Sequence, residues 1–217
     1  MSAPLDAPKP LLRGWLHEAA FVISVPAAVL LVLAAQSPAA RVAAIIYGVS
    51  LAGLFGVSAA YHRLNWSPSA LRRIKQLDHS MIFLLIAGSY TPFALLVIGG
   101  AWGIVILSIA WTGALVGIAL KLIRIDGLKA VGGALYITLG WLAILALPRL
   151  LANLSAPATA LVAAGAVLYT AGAVVLLTNR PNPSPRYFGY HEVWHSMVIG
   201  ASACFYAVIL LVMLGAA

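Results

Sequence analysis

The stretch Ile98-Gly99-Gly100-Ala101-Trp102 (IGGAW) decides how many times this chain crosses a membrane. It sits inside a run from Ser80 to Leu120 that contains no Asp, Glu, Lys or Arg. A spanning helix needs about 20 mostly apolar residues, so that run is too long for one crossing. The paired glycines offer a turn, and Trp102 suits a membrane interface; the run is therefore read as two helices. The remaining charge-free runs are Ala19–Ala40, Val42–Tyr61, Ala130–Pro148, Leu150–Asn179 and Val193–Ala217. Together they predict seven helices, at about 17–36, 42–64, 78–98, 101–122, 130–150, 156–178 and 191–215. A cleaved signal peptide is the alternative for the first, but its apolar stretch exceeds a typical signal core.

Composition supports the same class. The chain has 217 residues, of which 63% are hydrophobic and 8% charged, with a mean hydropathy of +1.03. So little charge cannot cover a soluble domain, and the expectation is an all-α polytopic membrane protein. No motif is duplicated and no linker is long enough to separate domains, so residues 1–217 are read as one seven-helix domain. The single cysteine, Cys204, excludes an internal disulfide and any multi-cysteine metal site.

The net charge of +8 comes from 13 basic and 5 acidic residues. The bases lie in short loops between apolar runs, so orientation in a membrane explains them better than nucleic acid does. With seven spans, Lys9, Arg13, Arg63, Arg72, Arg73, Lys75, Lys121, Arg124, Lys129, Arg180 and Arg186 share one face. Only Arg41 and Arg149 fall on the other. That asymmetry predicts a cytoplasmic amino terminus and an outside carboxyl terminus. All five acids (Asp6, Glu18, Asp78, Asp126, Glu192) and all five histidines (His17, His62, His79, His191, His195) map to the cytoplasmic side.

Three stretches at that side carry chemistry. The second helix ends in SAAYHR, where Ser58 and His62 are four apart and share a face. The third opens on LDHSMIF, with Asp78 and His79 at its start. The seventh opens on HEVWHSMV, with His191 and His195 on one face. If these helices meet, three imidazoles and a carboxylate converge. Three neutral imidazoles suit Zn²⁺ and leave a fourth position for water. Asp78, favoured as a carboxylate by a helix amino terminus, is then placed to deprotonate that water. Ser58 is placed to orient the water or donate to an oxyanion. The roles of His79, His17, Glu18 and Glu192 stay open. His17 and Glu18 lie within reach of the site from the first helix, with a solvated helix start as the favoured reading, and Glu192 reads either as a general base or as the partner of Arg186 or another loop base. AGSYTPF at 87–93 predicts a kink at Pro92, with Ser89 or Thr91 compensating the freed backbone group.

The order S-x₃-H, then DH followed by AGSYTPF, then HEVWHSMV, resembles the progestin and adipoQ receptor family, and more narrowly its bacterial hemolysin III branch. The resemblance covers nearly the whole chain. It implies zinc held in the inner leaflet by His62, His191 and His195, with Ser58 and Asp78 beside the metal and its water. It also implies kinship with a wider group of membrane hydrolases that includes alkaline ceramidases, and an association with membrane homeostasis.

The leading expectation is a zinc hydrolase of a lipid amide or ester, in the plasma membrane of a bacterium, with membrane lipids as partners and no nucleic acid. A non-catalytic, zinc-stabilised sensor or receptor-like protein is the second reading, alongside a hemolysin-type protein. An intramembrane metalloprotease ranks lower. IDG at 125–127 resembles an aspartate-glycine motif of such enzymes, but there the HExxH comes first in the chain and here it comes last.

Overall fold

A computed structural model describes residues 9–123 and 129–217. Asp6, Arg124, Asp126 and the IDG stretch lie outside the described residues. Within them the chain is helical apart from turns and one isolated bridge between Ser184 and Phe188. Seven helices are long and apolar enough to cross a bilayer: Trp15–Ala34, Pro38–Arg63, Pro68–Ile98, Gly100–Ile123, Val131–Asn153, Ala156–Thr178 and Tyr190–Met213.

The split at IGGAW is where the sequence places it, and it takes a single residue. Gly99 has φ 62° and ψ 177°, and Gly100 has φ 56°. A side chain rarely tolerates that backbone at Gly99, although open space surrounds it. Gly99→Ala is therefore expected to cost about 1–3 kcal/mol from backbone strain alone. Gly133→Ala, on a helical backbone and equally unobstructed, is expected to be neutral or mildly stabilising. Unfolding of the two variants in detergent checks the contrast.

Three helix starts share one local device. Ser37, Ser67 and Ser155 each accept from the backbone N–H three residues on (Ala40 at 3.1 Å, Ala70 at 3.4 Å, Ala158 at 3.4 Å). Each is followed by a proline in the first two helical positions, where its missing N–H costs nothing. The second of these caps corrects the predicted boundary. The third span begins at Pro68, ten residues before the expected 78, and runs 31 residues to Ile98. At 1.5 Å per residue that is about 46 Å, longer than the ~30 Å hydrocarbon layer, so its charged first turns project beyond the bilayer. Asp78 and His79 consequently lie well inside a helix, and the helix-terminus argument for an ionised Asp78 does not hold.

The third and fifth spans are both irregular, and each satisfies the other. After Pro92 the third span widens into a π-helical segment, Phe93–Ile98. Thr91 Oγ1 donates to the Ala87 carbonyl at 2.9 Å and accepts from Trp111 Nε1 at 3.2 Å. The fifth span, predicted as one helix, passes through a 3-10 stretch at Trp141–Ala146 ahead of Pro148. Tyr90 bridges that break: its hydroxyl donates to the Gly140 carbonyl (3.1 Å) and accepts from Ala143 N (2.7 Å). Asn153 Nδ2 in turn donates to the Val97 carbonyl (2.9 Å) of the π segment. Non-helical backbone at membrane depth is tolerated where protein groups satisfy it in this way.

The second span packs against the first and third, the third against the fourth, the seventh against the sixth and first. Small residues set the close approaches. A methyl at Gly88 would collide with Ser50, whose Cβ stands 2.7 Å from that position. The buried core holds Tyr47, Phe83, Ile106 and Ile209, while Val22, Ile23, Leu33, Ile104, Val167 and Leu177 are exposed as a lipid-facing surface requires. The first span is an integral part of this packing and carries a residue into the site.

Candidate metal centre

The seventh span starts at Tyr190 behind the N-cap Gly189, and Glu192 accepts from the Gly189 N–H at 2.8 Å. The helix puts His191 and His195 one turn apart on the face that meets the end of the second span. There His62 Nε2 lies 3.2 Å from His191 Nε2. The His195 ring is 4.5 Å from that of His191 and 5.3 Å from that of His62. One ligand-capable nitrogen from each of the three falls within a 4.8 Å group. The expected donor set is thus brought together.

The geometry fits a cation. Two imidazole nitrogens bound at 2.0–2.1 Å in a tetrahedral sphere stand about 3.4 Å apart, close to the His62–His191 separation. His195 is 1% exposed and neither of its ring nitrogens has a hydrogen-bond partner among the described residues. A buried imidazole with no partner is costly, and a metal bond removes that cost at one nitrogen. Trp194 and Tyr61 ring the cluster, at 5.0 Å from His191 and 4.6 Å from His62. These rings wall the sides of the cluster.

Ser58, one turn deeper than His62, is buried at 4% exposure and lies beside the Asp78 carboxylate. The second and third spans therefore present the expected Ser–Asp pair. Asp78 is not a member of the donor group itself. His79 stands apart from the triad: its Nδ1 lies 2.9 Å from the Lys75 carbonyl and 3.6 Å from Asp78 Oδ2. Tyr136 donates to the His79 carbonyl at 2.9 Å.

Two residues whose roles the sequence leaves open are placed by the structure. His17 is not at a solvated helix start. It is 2% exposed and lies face to face with His195, ring centroids 3.6 Å apart and planes 9° from parallel. Glu192 pairs not with Arg186 but with Arg13, whose Nε donates to Glu192 Oε1. Arg13 belongs to a strap preceding the first span, in which Leu11 N and Leu12 N donate to the carbonyls of Arg186 and Tyr187 (3.0 and 3.2 Å). Gly14 lets the strap pass close to the site: φ is 84°, and a side chain there would stand 2.8 Å from His62 Cβ. Glu18, in contrast, is half-exposed and ion-paired with Arg63 at 2.7 Å, outside the centre. The guanidinium of Arg63 also stacks on Trp15 at 3.8 Å.

Residues 5–206 match the family described as haemolysin-III related. The chain belongs to that family. It is 34% identical over 197 residues to the Hemolysin-3 of Bacillus cereus, covering 89% of this chain and 87% of that protein. A Hemolysin-3 homolog of Bacillus subtilis (strain 168) is 32% identical over 89% of each chain. The human monocyte to macrophage differentiation factor is 27% identical over 172 residues, 76% of this chain and 68% of that protein. The haemolysin-III-related chain described here is thus a multi-pass membrane protein whose buried histidine triad can hold a metal ion.

Proposed function

We propose that this haemolysin-III-related protein is a zinc-dependent hydrolase of a lipid amide or ester bond, working in the cytoplasmic leaflet of a bacterial plasma membrane. The observation that carries the reading is the convergence of His62, His191 and His195, with unpartnered nitrogens on buried His195, at the end of the bundle that also holds the Ser58–Asp78 pair. The basic-residue asymmetry supports a cytoplasmic position for that end. The strap that carries Arg13 packs there too.

His62, His191 and His195 would hold the ion as neutral ligands, leaving its full charge in place. When bound, zinc supplies Lewis acidity and lowers the pKa of water in the open position toward ~7. Asp78 takes the proton of the attacking water at its carboxylate. Ser58, buried beside that carboxylate, is the donor available to an oxyanion as charge develops. The aromatic and imidazole rings around the triad keep bulk water away. A centre near the headgroup level suits a substrate that stays in the bilayer, since its carbonyl arrives at the depth of the ligands.

The decisive experiment compares lipid turnover by wild-type protein and Asp78→Asn, both zinc-loaded in nanodiscs, on ceramides, N-acyl lipids and phospholipids. The expected result is a fall of at least about 10²-fold in turnover with zinc content unchanged. Equal turnover would favour the second reading, a zinc-stabilised sensor without catalysis. One observation favours that reading: the Arg13 strap covers the seventh helix start. The metalloprotease reading loses support because Glu192, its required general base, is occupied by Arg13 and Gly189.

A further inference from the structure

The fourth histidine of the cluster has no role in the hydrolase reading above. His17 comes from the first span, is 2% exposed, and touches Phe55 (5.1 Å) as well as His195. Neither of its ring nitrogens has a hydrogen-bond partner among the described residues. A phenyl ring would stack on His195 equally well without burying two polar atoms, so stacking alone does not explain an imidazole here.

His17 is badly placed to be a fourth ligand. A metal lies in the plane of an imidazole that binds it, along the nitrogen lone pair. The His17 and His195 planes are 9° from parallel with centroids 3.6 Å apart. An ion in the plane of His195 therefore stands out of the plane of His17, and His17 is not in the group whose ligand atoms lie within 4.8 Å of one another. What its nitrogens can serve is a group beside the ion. A neutral imidazole offers one N–H donor and one acceptor for that purpose.

We propose that His17 is a positioning residue of the metal centre, hydrogen-bonding the water, anion or substrate oxygen that occupies the coordination position left open by the triad. The proposal rests on the metal-centre reading above and adds to it the residue that orients the exchangeable ligand.

The test uses the full chain in detergent, loaded with cobalt(II), whose visible absorption reports its ligands. Azide is the probe for the open position. His17→Phe keeps the stacked ring and removes both nitrogens; His17→Gln restores a donor and an acceptor. The expected result is one cobalt per chain in wild type and both variants, with cobalt affinity within about threefold. Azide is expected to bind about tenfold more weakly to His17→Phe, the worth of one hydrogen bond, with partial recovery in His17→Gln. A fall of more than about 100-fold in cobalt affinity for His17→Phe would make His17 a ligand and overturn the proposal. Unchanged azide affinity in His17→Phe would overturn it too. Wild-type protein that takes up no cobalt would defeat the metal-centre reading itself and this inference with it.

Discussion

His195→Leu is expected to destabilise the zinc-loaded protein by about 4 kcal/mol, a fall of on the order of 10 °C in Tm. The magnitude follows from linkage. An ion present at about 1,000 times its Kd contributes that much to the folded state, and removing one ligand of three forfeits it. The sign is the informative part. His195 is 1% exposed and both of its nitrogens lack protein partners. Leucine has about the same volume and no polar atoms. If no cation bonded those nitrogens, the substitution would relieve an unsatisfied buried group and leave stability unchanged or raised. If a cation does, stability falls, metal content drops from one per chain to none, and a chelator no longer shifts the melting curve of the variant. Thermal unfolding of both proteins, with and without chelator, beside metal analysis, reads all three. A variant more stable than metal-loaded wild type would remove the reason for placing a metal at this centre.

How far the sequence reveals this arrangement depends on the range of the interactions involved. The seven crossings are legible because hydropathy is a local property and Gly99 needs no partner to turn the chain. The triad is legible because four-residue spacing fixes His191 and His195 on one face, and histidine is uncommon at membrane depth unless it has work to do. The start of the third span is hidden from hydropathy, since PSALRRIKQL is polar and lies beyond the apolar run. The Ser67-Pro68 pair marks that start by its capping chemistry, a signal that hydropathy does not register. The 3-10 break in the fifth span depends on Tyr90, some 50 residues earlier in the chain, and no window on the fifth span contains that information. His17 is the instructive case. A histidine at the beginning of an apolar segment reads first as a solvated helix start, and only the seventh helix that covers it decides for the site. The clue available was collective: five histidines at one end of the bundle, of which three already converge.

Arg13→Ala is the second substitution with a large expected effect, about 3–5 kcal/mol of stability, because it strands a buried carboxylate. Glu192 is 1% exposed, whereas Arg13 retains 18% exposure, so the two partners are not equivalent. Without Arg13, Glu192 keeps, among the described residues, only the Gly189 N–H as a donor in a poorly solvated site. Without the charge of Glu192, Arg13 can still reach water. Glu192→Gln should accordingly cost less than Arg13→Ala, as its side-chain oxygen can still accept from Gly189 and cap the seventh helix. The double variant Arg13→Ala/Glu192→Gln should recover some of the loss, since no buried charge is left unpaired. This order separates two accounts of the same glutamate. As the base of a peptidase, Glu192 would lose activity on conversion to Gln with little change in unfolding, and Arg13 would be incidental. As the anchor of the amino-terminal strap, it makes Arg13 the costlier residue to lose, although 179 positions separate the two in the chain. Chemical unfolding of the four proteins in detergent gives the coupling energy directly. A value near zero would mean that the strap is held by its backbone bonds to Arg186 and Tyr187, with the ion pair a bystander.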